Sequence, residues 1–221
     1  MIQMVVFDMA GTTVNEDNVV YKTLNAAVNG RGNNFTLETV LREGAGKEKL
    51  QAVRDILASA GIENEAESQA IYEDFIVMLK KTYADLHVTP QDGAESVFAA
   101  LKQRGIRVIL NTGYNQETAL SLLNKLDWKE GQQIDGLITA SQVENSRPAP
   151  DMIFLARDRF GIESAANIAK VGDSIVDIEE GQSAGCGLNI GITTGAHTEA
   201  QLLSASPDKV IHHLSELLDL V

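Results

Sequence analysis

The sequence predicts a doubly wound α/β fold built on a parallel sheet, with a helical insertion behind its first strand. Three observations carry this reading. Short runs rich in Val, Ile and Leu recur at "MVVFD", "IRVILNT", "DGLIT", "NIAKVGD", "GLNIGIT" and "DKVIHH". From residue 91 onward these runs alternate with amphipathic segments, the pattern of βαβ units whose strands are covered by helices on both faces. Between Val14 and about His87 the apolar residues instead recur at helical spacing, and no run reads as a strand.

Taken in order, the first strand ends on Asp8 and breaks into a small-residue turn opened by Gly11, with Thr12 and Thr13 beside the carboxylate. The insertion follows as four helical stretches, "VVYKTLNAAVNGRG", "TLETVLREG", "KEKLQAVRDILASAG" and "EAESQAIYEDFIVMLKKTYADL", punctuated by Gly and Asn. "HVTPQDG", with Pro90 and Gly93, reads as the return linker. The remaining helices are "GAESVFAALKQRG", "NQETALSLLNKLD", "APDMIFLARDRFG", "SIVDIEEGQSAG" and a closing "LSELLDLV". This pattern divides the chain into a core of residues 1–14 and 88–221 and a helical cap domain of residues 15–87, hinged on Asn15 and His87.

At 221 residues and 44% hydrophobic content, the chain can fill one sizeable core with a smaller appended domain. No run approaches the ~20 apolar residues of a membrane span. The first residues lead straight into the first strand without a basic start or a small-residue cleavage site, so no secretory signal and a cytoplasmic location are expected. The lone Cys186 cannot form an internal disulfide and reads as a small residue before a strand. A net charge of -13 argues against nucleic acid or an anionic membrane as partner. A small anionic substrate is compatible if local cations or helix N-termini offset that field, and a homodimer is compatible as well.

In an open α/β sheet the loops at the carboxyl ends of the strands form the ligand crevice. Those ends carry Asp8, Thr112 with Gly113, Arg147 and Asp173, four polar residues far apart in sequence. Asp8 can ligate a hard cation and attack an electrophile, or serve only as a turn residue. Asp173 and Asp177 lie four apart where a strand turns into a helix, so they share a side of its first turn, where helix capping would explain either one. Together with Asp8 they offer the oxygen ligands that Mg²⁺ prefers. The Thr112 hydroxyl can bond a phosphate oxygen, Gly113 lets a backbone amide approach it, and the planar fork of Arg147 suits bidentate phosphate binding.

"FDMAGT", "LNTG", "SRPAPD" and "VGDSIVDIEEG" together resemble the four ordered motifs of the haloacid dehalogenase superfamily. The resemblance runs the length of the chain, and the insertion stands where that superfamily carries a small cap domain. It implies a Rossmann-like core, a nucleophile at Asp8, an aspartyl-phosphate intermediate, and Mg²⁺ held by Asp8, Asp173 and the backbone carbonyl of Ala10, beside the Asp177 already offered by the spacing. It implies that Thr112 and Arg147 hold phosphate, with Ala10, Gly11, Thr12 and Gly113 bordering the substrate. Most phosphatases of the superfamily carry an acid two residues after the nucleophile, where this chain has Ala10. Dehalogenases and phosphonatases lack it, and the "AGTT" turn, the Arg before "PAP" and the retained acidic pair are similar to the phosphonatase subgroup. There a cap lysine forms an imine with the substrate aldehyde, so that carbon departs as an enamine and the acid becomes dispensable. The matching cap motif is "GKEK", giving Gly46 as a substrate contact and Lys49 as the imine lysine.

On a helix from about Lys47, Lys49 shares a face with Ala52, Val53 and Ile56, whereas Lys47 faces Gln51 and Arg54. A lysine beside an apolar stripe is expected to lose its proton more easily, unless it snorkels to solvent. Ala52, Ala45 and Met9 stand where the subgroup has His, Met and Trp. The expected function is therefore phosphonatase-like hydrolysis of a small phosphonate or phosphate. A phosphomonoester phosphatase and a phosphate-binding module without efficient catalysis remain alternatives. Trp128, Tyr21, Tyr72 and Tyr83 read as helix packing, Tyr114 as a substrate neighbour, His197 as a helix-start residue, and His212 and His213 as surface groups.

Overall fold

The computed structural model describes residues 1–221 apart from the Asp85 side chain. Six parallel strands form one sheet in the order β5-β4-β1-β6-β7-β8. They are β1 (Met4–Phe7), β4 (Arg107–Thr112), β5 (Gly136–Thr139), β6 (Ile168–Gly172), β7 (Leu188–Ile192) and β8 (Lys209–Ile211), each inside a run singled out above. β2 (Val14–Asn15) and β3 (Thr89–Pro90) make a separate antiparallel ribbon, Val14 opposite Pro90 and Asn15 opposite Thr89. Two-residue strands carry no periodicity, which is why the sequence shows none there.

Alternation along the strands splits the core in two. Val5, Phe7, Val108, Leu110 and Val171 face one layer, with α5 (Ala94–Gln103) and α6 (Gln116–Lys125) contributing Phe98 and Leu122. Met4, Val6, Ile109 and Ile168 face the other, with Met152 and Ile153 of α7 (Asp151–Arg159). Both faces are covered, so the strands are apolar on both sides until their carboxyl ends, apart from Lys170 in β6 and Asn189 in β7. α8 (Ile175–Ala184) packs on β6 and β7, and a short α9 (Glu199–Ser204), capped by Thr198 and Gln201, packs beside it. The closing segment Leu214–Asp219 is a 3₁₀ turn rather than an α-helix and rests on α5. Edge-to-face rings of Phe7, Phe98 and Trp128, with centroids 5.4 and 5.2 Å apart, tie α5 to the sheet.

The insertion lies between the two strands of the small ribbon and consists of α1 (Val19–Asn29), α2 (Leu37–Gly44), α3 (Lys49–Ala58) and α4 (Glu65–Asp85). α1 packs on α2 and α4, and α3 fills the remaining gap between those two. α3 starts at Lys49, two residues later than the sequence suggests, because the Glu48 carboxylate caps it by accepting from the amides of Leu50 and Gln51. Lys47 is consequently outside the helix, and its amine pairs with Asp55 at 2.5 Å instead of running along Gln51 and Arg54. Among the described residues no helix is long and apolar enough to cross a membrane.

The register sets the height of the crevice. Phe7 pairs with Leu110 on one side and Val171 on the other, so the next residues, Asp8, Asn111 and Gly172, lie level with one another beneath the insertion. Truncating Phe98 to Ala removes the ring that joins α5 to β1 and should cost about 3–5 kcal/mol. Leu203→Ala, at a half-exposed site, should stay within about 0.5 kcal/mol, and the midpoints of denaturant unfolding for the two variants measure both values.

Candidate active site

Asp8 is the first residue past a fully apolar strand, and its backbone is pinned. Its amide donates to the Val171 carbonyl at 2.9 Å, and the Thr13 hydroxyl donates to its carbonyl at 2.9 Å. Its side chain meets Arg147, whose Nη1 donates to Asp8 Oδ1 at 2.7 Å. Asp8 Oδ2 accepts no hydrogen bond among the described residues.

Arg147 reaches this point from the loop before α7 and is itself 3% exposed. Its Nη1 also stands 3.0 Å from Asp177 Oδ1, its Nε donates to Glu180 Oε2 at 3.0 Å, and its Nη2 donates to the Asn111 side chain and carbonyl at 2.5 and 2.8 Å. Lys170, buried in β6, completes the array through Asn111 Oδ1 and Asp177 Oδ1, each at 2.8 Å. Burial works against the Arg147 charge, but Asp177, Glu180 and Asp8 more than offset it and raise the guanidinium pKa. Burial likewise opposes the ionised form of Asp177, and Arg147 with Lys170 holds its pKa below the ordinary carboxylate range.

Asp173 begins the turn into α8. Its Oδ1 accepts from the Thr12 hydroxyl at 3.1 Å and its Oδ2 from the Ala196 amide at 2.6 Å. Asp177, one turn later, accepts at Oδ2 from the amide and hydroxyl of Ser174, a capping box that opens the helix. Burial, reinforced by the neighbouring carboxylates, pushes the pKa of Asp173 well up and raises that of Asp8 despite the pull of Arg147.

Oxygens of Asp8, Asp173 and Asp177 lie within 4.8 Å of one another. With Glu180 these make four carboxylates against two buried cations, and the pKa values of Asp8 and Asp173 are raised by burial first and by the neighbouring carboxylates second. An all-oxygen donor set carrying excess negative charge fits a hard divalent ion such as Mg²⁺. Asp177 has both oxygens occupied by Lys170, Arg147 and Ser174, so it stands behind Asp8 and Asp173 in any such coordination.

Above the carboxylates lies a small cavity of ≈ 10 Å³, about the room one water needs and far below the volume of ligand pockets. Asp8, Ala10, Thr112, Gly113 and Arg147 line it from the core, and Gly46 and Lys49 from the insertion. Gly11 and Thr12 turn toward Asp173 instead, Thr12 through its hydroxyl. The insertion closes over the cavity by backbone contact. Gly46 sits at φ 76 with its α-carbon against Ser174, and a Cβ on Gly113 would come within 2.6 Å of the Lys47 carbonyl. The Gly46 carbonyl accepts from Arg147 Nη1 at 3.3 Å, and its amide donates to the Tyr21 hydroxyl at 3.0 Å.

Lys49 is 6% exposed, the opposite of a snorkelling lysine. Its Nζ donates to the Lys47 carbonyl at 2.7 Å and stands 5.5 and 5.4 Å from the ring centres of Tyr21 and Tyr114. Burial lowers its pKa to about 8.

The chain matches the haloacid dehalogenase-like hydrolase family over residues 2–185. The protein belongs to that family. It is 30% identical over 209 residues to a phosphonoacetaldehyde hydrolase of Bacillus cereus (strain B4264), covering 88% of this chain and 77% of the relative. It is also 30% identical over 198 residues to a bifunctional phosphonoacetaldehyde hydrolase/aminoethylphosphonate transaminase of Clostridioides difficile (strain 630), covering 83% of this chain but only 30% of that longer protein. The crystal structure of a phosphonoacetaldehyde hydrolase-like protein from Oleispira antarctica shares the fold, with a TM-score of 0.86 over 99% of this chain and 91% of that one at 22% identity.

Several groups in this haloacid dehalogenase-like hydrolase escaped the sequence reading. Asn111 and Lys170 lie inside apolar strand runs, where a strand covered on both faces has no solvent side for a polar group, and that anomaly was the available signal. Glu180 follows Asp177 by three residues and so shares its helix face. Tyr21 and Tyr83, read as packing, turn their hydroxyls inward, Tyr21 to Gly46 and Tyr83 to Glu16 Oε2 at 2.6 Å. His197 is buried, and its Nδ1 accepts from the Ile175 amide at 3.0 Å, which secures the start of α8.

Because the folded pKa values of Asp8 and Asp173 lie above their unfolded ones, their contribution to the folded state is fully present below the unfolded carboxylate value and is lost as pH rises from there through the raised values. Asp173→Asn removes the repulsion. In chelator the variant should melt above the parent. Mg²⁺ at a hundred times its dissociation constant should stabilise the parent by about 2.7 kcal/mol and the variant by much less, as thermal melts with and without the ion would show.

Proposed function

We propose that this hydrolase is Mg²⁺-dependent and removes the phosphono group from a small phosphonate bearing an aldehyde. The observation that carries the reading is a buried lysine amine, with a pKa of about 8, lining the same small cavity as the Asp8 carboxylate. The relatives named phosphonoacetaldehyde hydrolase support it, as does the methyl group of Ala10 in place of a proton donor.

In this reading the Thr112 hydroxyl and the Gly113 amide hold the phosphono oxygens, and Arg147, whose donors are taken by Glu180, Asp8, Gly46 and Asn111, contributes its positive charge beside them rather than a bidentate grip. Lys49, losing its proton near neutral pH, adds to the aldehyde carbon and expels water to give an iminium ion. The free Oδ2 of Asp8 then attacks phosphorus. The carbon–phosphorus bond breaks, and its electron pair moves into the iminium to leave a neutral enamine. No proton is needed at that instant, so an alanine suffices at position 10. Water hydrolyses the aspartyl-phosphate, and protonation and hydrolysis of the enamine return the lysine. Mg²⁺ held by Asp8, Asp173 and the Ala10 carbonyl, with Asp177 behind, would neutralise charge so that a carboxylate can approach an anionic phosphorus.

Residues 15–87 act in this scheme as a cap that opens on Asn15 and His87 to admit substrate. The close contacts of Gly46 and Gly113 and the ribbon of β2 with β3 at the base of the insertion support that role. The unpaired Cys186, its thiol pushed up to about 12 by burial, suits a cytoplasmic enzyme.

Phosphate release from phosphonoacetaldehyde with Mg²⁺ tests the reading. Borohydride added with substrate should abolish release and leave a mass label on the Lys49 peptide. Asp8→Asn should lower kcat by on the order of 10⁴-fold or more. Release without a label, or a Lys49→Arg variant as active as the parent, would rule out the imine. Release confined to phosphomonoesters would make the enzyme a phosphatase.

A further inference from the structure

Behind the wall of the cavity lies a second titratable cluster that the scheme above does not use. Glu16 follows β2 and is buried without a cationic partner within ion-pair distance among the described residues. Its Oε2 accepts from the Val20 amide at 3.1 Å and from the Tyr83 hydroxyl at 2.6 Å. The Tyr83 hydroxyl in turn lies 3.0 Å from that of Tyr114, which belongs to the cavity lining beside Lys49. A continuous chain of hydroxyls therefore joins a buried carboxyl to the cavity. Tyr83, the middle member of this chain, also lines the groove between α4 and α6.

We propose that Glu16, Tyr83 and Tyr114 form a proton relay serving the Lys49 amine, with Tyr114 at the cavity wall and Glu16 as a positioning residue that stores the proton. The proposal rests on the reading that Lys49 forms an imine. Imine formation needs a proton for the departing water and its hydrolysis needs a proton acceptor. Ala52, three residues after Lys49 on α3, is fully buried and has no group that moves a proton.

When the carbinolamine collapses, the carbon–oxygen bond breaks and its electron pair leaves with oxygen while the nitrogen lone pair forms the new C=N bond. Tyr114 gives its proton to that oxygen, Tyr83 gives its proton to Tyr114, and the Glu16 carboxyl gives its proton to Tyr83. The products are an iminium ion, water and a Glu16 carboxylate, and hydrolysis of the imine runs the chain backwards. Polarity agrees with both states. With Glu16 ionised, the single Tyr83 proton lies on Glu16, so Tyr114 must donate to Tyr83. With Glu16 protonated the direction reverses, and the Tyr114 proton is free to enter the cavity.

The surroundings poise this carboxyl for exchange. Burial raises the Glu16 pKa to about 7, the Tyr83 and Val20 hydrogen bonds and the Lys49 charge hold it down, and Asp8 adds to the rise. Burial and the Glu16 charge keep the hydroxyls of Tyr83 and Tyr114 protonated, and Tyr21, facing from α1, is held protonated as well. A group half protonated near neutral pH can both give and take a proton within one turnover.

The experiment measures the rate of borohydride capture at Lys49, by peptide mass, from pH about 5 to about 9, with phosphonoacetaldehyde in one arm and acetaldehyde in the other. In the parent, capture should rise with pH as Lys49 loses its proton and fall again above both values, because addition needs the neutral amine and dehydration needs the acid form of Glu16. Glu16→Gln keeps an acceptor for Val20 and Tyr83 but moves no proton. It should slow capture by on the order of 10²-fold and erase the falling limb, as should Tyr83→Phe. Glu16→Asp should retain the limb at a shifted midpoint, which a purely structural role would not produce. A Glu16→Gln profile that overlays the parent in both arms overturns the relay. Capture of acetaldehyde with the expected limb, but no capture or phosphate release with phosphonoacetaldehyde, upholds the relay and rejects the phosphonate reading. Failure to label Lys49 with either aldehyde overturns both.

Discussion

The site depends on one buried guanidinium. Arg147 touches Asp8, Asp177, Glu180 and Asn111, groups delivered by β1, α8 and β4, and so joins three elements in a single array. Desolvating so many charges is costly, and the array persists because nearly every donor and acceptor finds a partner. Its geometry decides which atom is left over. With Oδ1 of Asp8 taken by Arg147, Oδ2 is the oxygen left without a partner among the described residues, and Asp8 lines the cavity formed by the same loops.

The same array explains the surplus of negative charge around Asp173. Arg147 and Lys170 compensate Asp177 and Glu180 at contact distance, but Asp8 shares Arg147 and Asp173 has only neutral donors. The uncompensated charge is concentrated where an all-oxygen cation site would form. Two acidic residues four apart in sequence thus have different tasks, Asp177 holding the cations of the protein and Asp173 facing the place a bound ion would take.

Strand runs, their order of appearance and the carboxyl-end placement of Asp8, Thr112, Arg147 and Asp173 were all legible in the sequence, because parallel strands buried on both faces leave an unambiguous apolar signature. Lys49 was legible from helical spacing and motif, although α3 begins two residues later because Glu48 supplies the cap. What the sequence hides is set by tertiary proximity. Glu16 and Tyr83 are separated by the whole insertion and meet only when α4 folds back over β2, and no local pattern distinguishes Tyr83 from an ordinary packing tyrosine. Asn111 and Lys170 were visible as oddities, but their partners depend on the register of β4 against β1 and β6.

The close matching of Arg147 has a further consequence for how ligands arrive. Its charge and that of Lys170 are balanced at contact by carboxylates, so beyond a Debye length of about 8 Å they exert little pull, and the insertion covers them in any case. An approaching anion instead meets the field of a protein with a net charge of -13. For such a ligand the encounter is repulsive until it is inside, and added salt, which slows capture in electrostatically steered enzymes, here speeds it by screening the surface.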